Sequence, residues 1–153
     1  MDFAYNDEQK EIIKVVRDLV EKEIVPYASE MDETGKLHEG LLEKLAAQGL
    51  LGVAIPEEFG GAGLDAITIA AIYEELAKGC AGVATTVAAN ALASYPVISA
   101  GNDDQKNRSV DIINEDNLAA FALTEPGTGS DAGSVSTRAM KTEDGKGYIL
   151  NGT

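Results

Sequence analysis

The segment Phe121-Ala-Leu-Thr-Glu-Pro-Gly-Thr-Gly-Ser-Asp131 joins the end of an apolar run to hydroxyl groups and two closely spaced glycines. Gly127 and Gly129 permit successive backbone N–H groups to turn outward as an anion-binding nest, and Ser130 adds a further donor. Thr124 stands where the apolar run ends, so its hydroxyl is placed to bond the edge of a planar ring. The combination suits a phosphate-bearing planar cofactor. An ordinary Gly-Pro turn between two strands accounts for the same residues. Glu125 and Asp131 are the carboxylates of the segment; nothing around either marks a base, and Glu125 reads as structural. Lys106, Arg108, Arg138 and Lys141 are the nearest cations in sequence.

Other chemistries find little support. Cys80 is the only cysteine and His38 the only histidine, which leaves no intrachain disulfide, no cysteine metal cluster and no His-rich metal site. The compartment reads as reducing. His38 reads as a surface residue near a helix start rather than a catalytic one. A formal charge of −14 argues against nucleic acid, because phosphate contacts need clustered Lys and Arg. An anionic cofactor would have to use backbone N–H groups or a few local cations. Pro56 to Gly63 (PEEFGGAG) is glycine-rich, but no strand precedes it at the right spacing and no Lys-Ser/Thr follows, so it is neither a P-loop nor a dinucleotide fingerprint. No catalytic residue and no metal ligand is assigned.

The elements that must position the segment are mainly helical. From Asn6 to Val25, Ile12, Val16, Leu19, Val20 and Ile24 recur at helical steps, with Asn6 and Gln9 as a capping pair and Pro26 as the end or kink. Glu30 to Glu33 is expected as a solvated loop. A second helix is expected from Glu39 to Gln48, closed by Gly49, and a third from the cap Asp65 to Lys78, with Ile67, Ala70, Ala71 and Leu76 on its apolar face. Val83 to Tyr95 is apolar nearly all round, the pattern of a buried helix. Its Ala84, Ala88 and Ala89 allow close packing or leave room for a ligand. Pro96 is expected to break it, and Asn102 with Gln105 to open another helix toward Ile113.

After Asn117 the pattern turns to β. Leu118 to Leu123 reads as a buried strand, Val135 to Lys141 and Tyr148 to Leu150 as two more, with Asp144-Gly145 as a turn. Asn151-Gly152 is a strong hairpin signal, with both residues expected at positive φ. Only Thr153 follows, so the chain reads as unfinished. The fold class is mostly α: an N-terminal helical bundle over 1–117, followed by the first strands of a truncated β-barrel domain over 118–153. No uncharged apolar run of about 18 residues is expected, so no membrane span is read. No secretory signal is visible, and a cytoplasmic location is the default.

Thr124 to Asp131 (TEPGTGSD) resembles the flavin-binding signature of the acyl-CoA dehydrogenases. The order of other features is similar too: PEEFGGAG at Pro56 to Gly63, YEELAK at Tyr73 to Lys78, AGNDDQK at Ala100 to Lys106 and YILNGT at Tyr148 to Thr153. The likeness covers essentially the whole chain and points to the short- or medium-chain branch. It implies an FAD enzyme that dehydrogenates acyl-CoA thioesters at the α and β carbons, passes electrons to an electron-transferring flavoprotein and assembles as a homo-oligomer. It implies that Phe121, Ala122, Leu123, Thr124, Glu125, Pro126, Gly127, Thr128, Gly129 and Ser130 line FAD, with Phe121 and Leu123 flanking the ring, Thr124 on its pyrimidine edge, and Gly129 and Ser130 at the pyrophosphate. Ser130, Ala84 and Ala88 are implied on the acyl-CoA side. The family's catalytic glutamate is expected beyond Thr153, so the chain is expected not to turn over alone. The alternative is a non-catalytic helical module that binds a partner through an unpaired β edge.

Overall fold

The computed structural model describes residues 4–114 and 118–153, and the chain divides into two compact units, Met1–Phe121 and Ala122–Thr153. The expected boundary after Asn117 falls outside the described residues. In the first unit, α1 (Asp7–Leu19) starts where expected. The Asn6 side chain accepts from the Gln9 N–H at 2.8 Å, and the Gln9 side chain accepts from the Asn6 N–H at 3.0 Å, so two otherwise orphaned donors are satisfied. Its path continues through a π-helical turn, Val20–Ile24, and a 3-10 turn, Val25–Tyr27, around Pro26.

The acidic stretch expected as a loop is instead α2 (Ala28–Thr34). Met31 is buried on its inner side while Glu30, Asp32 and Glu33 are exposed, and Gly35 closes it at φ 65°. One buried anchor and good helix formers were enough. Next come α3 (Leu41–Ala47), closed by Gly49 at φ 69°, and a 3-10 turn, Leu50–Gly52. Leu50, Leu51, Val53 and Ile55 then insert into the core.

Asp65 caps α4 (Ala66–Gly79), accepting from the N–H groups of Ile67 and Thr68 at 2.8 and 3.2 Å. The inward face is Thr68, Ala71, Ile72, Glu75 and Leu76; Ile67, expected inside, is 64% exposed. The reason is polar: the Thr68 hydroxyl is drawn inward between Asp65 and the Gln9 side chain. The helix runs through Gly79 to its cap at Cys80, and glycine is needed at 79 because a Cβ there would lie 2.5 Å from Val20 Cγ1 and 3.1 Å from Ile24 Cγ2.

The next helix, α5 (Ala81–Ala100), runs through Pro96 instead of breaking there. Proline removes the donor to the Leu92 carbonyl, but Leu92, Tyr95 and Pro96 all sit on the exposed side, where water can serve that carbonyl. These 20 residues carry no charge and an 18-residue window within them averages a hydropathy of 1.3, so the expectation that no run reaches membrane-spanning length is overturned. Val83, Ala84 and Val87 lie in the core of the unit, and Asn90 and Ser94 are buried beside them, as in the central helix of a helical domain. Asn102 and Gln105 cap α6 (Asp103–Asn114) reciprocally at 2.9 and 3.0 Å.

Across the first unit Val16, Val20, Ile24, Leu41, Leu45, Ile72, Leu76, Val83 and Val87 make one continuous core. His38 is half-buried rather than a plain surface residue. Its ring stacks on Tyr27 at 3.5 Å between centroids, and its backbone carbonyl accepts from the Leu41 N–H at the start of α3.

Leu118 to Leu123 forms no strand; Leu118, Phe121 and Leu123 are 40–44% exposed. Among the described residues no neighbouring strand offers it a ladder, and an unpaired run does not hold β geometry. In the second unit β1 (Arg138–Lys141) pairs antiparallel with β2 (Tyr148–Asn151), Arg138 opposite Asn151 and Lys141 opposite Tyr148. The Asp144-Gly145 turn forms as expected, with Gly145 at φ 68°. The Asn151-Gly152 turn does not: Asn151 ends β2, and Gly152 is not among the glycines at positive φ. Glycine is needed at 152 for another reason, since a Cβ there would lie 2.0 Å from the Thr137 hydroxyl oxygen.

Candidate functional site

The candidate segment folds around Glu125. The N–H of each of Glu125 and Thr128 donates to the other's carbonyl at 3.0 Å, closing a tight turn over Pro126 and Gly127. The Thr128 hydroxyl donates to the Ser134 carbonyl at 3.0 Å, and Ser134 is also held by the Asp131 carboxylate. Glu125 then reaches past the turn. Its carboxylate accepts from the Ser136 hydroxyl at 2.6 Å, the Ser136 N–H at 2.9 Å and the Thr137 N–H at 2.8 Å.

Three donors on one carboxylate favour its ionised form. The hydrogen bonds from Ser136, its hydroxyl foremost, and from Thr137 pull the Glu125 pKa from 4.5 down to about 2. Such a group is a strut, a poor proton acceptor at neutral pH. Glu125 and Thr128 are therefore turned into the loop at 9% and 6% exposure.

What remains outside is a row of unspent groups. Thr124, Pro126, Gly127, Gly129 and Ser130 are exposed. Among the described residues, neither the Thr124 and Ser130 hydroxyls nor the N–H groups of Gly127, Gly129 and Ser130 have a hydrogen-bond partner within the chain. The expected nest is not formed by these glycines, since neither takes positive φ. Nor does the fold need glycine at either place: a Cβ at 127 or 129 would meet nothing within 4 Å. Two positions thus hold glycine with no conformational or packing reason inside the chain.

Ala84 is 8% exposed and belongs to the core of the first unit, and Ala88, one turn on, is half-buried. Phe121 is 40% and Leu123 41% exposed. Of the cations, Lys106 sits 5.4 Å over the Phe59 ring and Arg108 pairs with Asp104, while Arg138 and Lys141 project from opposite faces of β1. An apolar groove of about 360 Å³ beside α1 is lined by Ile12, Val15, Leu19, Leu50 and Val53, with Glu11 and Gln48 as its polar side chains.

Sequence reasoning missed the polar ties. Ser136 and Thr137, read only as part of a strand, are the partners of Glu125. Glu75 is buried in an ion pair with Arg17 and Lys78, and Asn90 is fully buried. Asn90 could have been noticed as an amide in an otherwise apolar helix, because a buried amide needs partners. The Arg17–Glu75 pair, 58 residues apart, carries no local signal.

Comparison with known proteins follows the same outline. The family model for the acyl-CoA dehydrogenase N-terminal domain matches residues 6–113. A 3-(aryl)acrylate reductase from Clostridium sporogenes is 43% identical over 95% of this chain and 39% of its own length. The structure of butyryl-CoA dehydrogenase from Megasphaera elsdenii superposes with a TM-score of 0.84 at 37% identity, over 99% of this chain and 41% of that one. An acyl-CoA dehydrogenase from Bacillus anthracis complexed with FAD superposes with a TM-score of 0.84 at 36% identity, over 97% of this chain and 26% of that one. The chain spans about two fifths of the reductase and of the butyryl-CoA enzyme.

Proposed function

Because the chain belongs to the acyl-CoA dehydrogenase family, we propose that it supplies the helical domain and one wall of an FAD site in an enzyme that dehydrogenates short-chain acyl-CoA thioesters. The observation that carries this reading is the pair Gly127 and Gly129: their glycines are demanded neither by φ nor by packing. A ligand brought against the backbone supplies the missing reason. The unpartnered Thr124 and Ser130 hydroxyls and the N–H groups of Gly129 and Ser130 suit a ring edge and a pyrophosphate. The exposed Phe121 and Leu123 side chains suit the apolar part of the ring.

FAD would supply the hydride acceptor for the β-hydrogen of the thioester. The chain's own residues bind and orient. Thr124 offers a hydroxyl at the ring edge, and Ser130 offers one to the pyrophosphate and to the acyl-CoA. Glu125 holds the turn in shape through Ser136 and Thr137, and its ionised carboxylate neither donates nor accepts a proton in the reaction. Ala84 and Ala88 contribute small side chains on the acyl side of α5. Removal of the α-proton is assigned to neither Glu125 nor Asp131. An electron-transferring flavoprotein as electron acceptor, homo-oligomeric assembly and a cytoplasmic location belong to the same reading.

A second reading is favoured by one observation. Both faces of the β1–β2 pair carry exposed apolar side chains, with Met140, Tyr148, Ile149 and Leu150 at 59–73% exposure, as in a surface that another polypeptide covers. The experiment that separates the two is anaerobic addition of butyryl-CoA to the flavin-loaded protein that carries this chain, followed through the visible flavin absorbance. Bleaching supports the dehydrogenase. A purified protein that forms discrete oligomers, takes up no flavin and leaves butyryl-CoA unchanged supports the partner-binding module.

A further inference from the structure

Asn90 is the one fully buried amide among the largest buried side chains of the described residues, at 0% exposure, and both ends of it are used. Its Nδ2 donates to the Leu51 carbonyl at 3.1 Å, and its Oδ1 accepts from the Ala119 N–H at 2.6 Å. A carbonyl on one side and an N–H on the other fix the orientation of the amide without ambiguity. The Ser94 hydroxyl, one turn on, donates to the Asn90 carbonyl at 2.7 Å and holds the helix around it.

The two partners lie far from Asn90 in sequence, 39 and 29 residues away. Leu51 belongs to the 3-10 turn after α3, and Ala119 lies two residues before Phe121, where the candidate flavin segment begins. Ala119 also packs against the core. Beyond it, Ala120 to Thr124 make no hydrogen bond within the chain among the described residues. The Ala119 N–H is therefore the last backbone tie before the segment that needs to be held in place.

We propose that Asn90 is a positioning residue for the flavin wall, acting through the Ala119 N–H to fix the start of the Phe121–Ser130 segment; this rests on the flavin reading of that segment. It touches neither cofactor nor substrate. The side chain has the right chemistry for the role, because an amide satisfies a carbonyl and an N–H at once without bringing a charge into the core. Leucine of the same size would leave both backbone groups unpaired. Aspartate keeps an acceptor for Ala119 but loses the donor to Leu51.

The test compares Asn90→Ala and Asn90→Asp with Glu75→Gln, a substitution that weakens the same helical unit away from the segment. Amide hydrogen exchange and FAD titration are measured on each in the protein that carries this chain. In Asn90→Ala, exchange of the Ala119 amide is expected to accelerate about tenfold beyond any change in the rest of the unit, the effect of one lost buried hydrogen bond. FAD affinity is expected to fall by a similar factor. In Asn90→Asp the Ala119 amide stays slow and FAD affinity stays near wild type, although the melting temperature falls. In Glu75→Gln the melting temperature falls with neither local effect.

Unchanged exchange of the Ala119 amide in Asn90→Ala, or acceleration there no greater than in Glu75→Gln, overturns the proposal even if Asn90→Asp fails to fold. A wild-type protein that shows the exchange pattern yet binds no FAD refutes the flavin reading and with it the cofactor role of Asn90, leaving only a structural clamp.

Discussion

Replacing Glu75 by Gln isolates the electrostatic tie between α1 and α4. The Glu75 carboxylate accepts from Arg17 Nε at 3.0 Å and Nη2 at 2.8 Å, and from Lys78 Nζ at 2.8 Å. Its side chain is only 6% exposed, whereas those of Arg17 and Lys78 are 51% and 54% exposed. The Arg17 hydrogen bonds, then that from Lys78, outweigh the cost of burial and hold the carboxyl at about 2 instead of 4.5. At about 1.4 kcal/mol for each tenfold change in proton affinity, that difference sets a ceiling of roughly 3 kcal/mol. Because both cations are half in solvent, screening reduces the usable part to about 1–2 kcal/mol.

The sign follows from the depressed folded-state pKa. The stabilisation is fully present above the unfolded value of 4.5 and is lost as pH falls from there toward about 2. Urea unfolding followed by circular dichroism is therefore expected to show Glu75→Gln less stable than wild type by about 1–2 kcal/mol at neutral pH. The gap narrows as the pH is lowered through that window. A gap that is absent at neutral pH, or constant down to the acid end of the window, refutes the reasoning.

Other perturbations give separate checks. Gly79→Ala places a methyl 2.5 Å from Val20 Cγ1, and thermal melting is expected to register a loss of about 1–3 kcal/mol from overpacking. Pro96→Ala restores an N–H to the exposed Leu92 carbonyl inside α5 and is expected to raise stability by about 1 kcal/mol in the same assay. Glu125→Gln removes a carboxylate held at about 2 by Ser136 and Thr137; hydrogen exchange at those two amides is expected to speed up. Because the wild-type group is already ionised throughout the neutral range, no activity transition assignable to Glu125 is expected near neutral pH. Finding one would contradict its role as a strut.

The helices were legible where local chemistry decides them. The reciprocal caps at Asn6/Gln9 and Asn102/Gln105, the Asp65 cap and the left-handed Gly49 all announce themselves within a few residues. Legibility failed where the outcome depended on what lies across the molecule. Glu30 to Glu33 reads as a loop because three acidic residues surround its single apolar anchor, Met31. Ile67 lost its inward place to Thr68 through a bond to Gln9, 59 residues away. Pro96 stayed helical because its broken hydrogen bond faces water.

In the candidate site the residue types were readable but the division of labour was not. Glu125 and Thr128 turn inward because Ser136 and Ser134 take their side chains, a pairing set by how the loop closes and by no motif. The glycines told more by what they lack. Whether either position needs glycine depends on the space and backbone angles around it, which no motif records.

That feature also supplies the most direct test of the proposed flavin wall. Gly127→Ala and Gly129→Ala fit the free chain without contact or backbone strain, so melting temperatures are expected to stay within a degree or two of wild type, about 0.5 kcal/mol or less. FAD titration of the same proteins, read by quenching of flavin fluorescence, is expected to show affinity falling by about tenfold or more, since the methyl occupies space the ligand needs. Variants that fold normally and bind FAD as tightly as wild type would contradict the account.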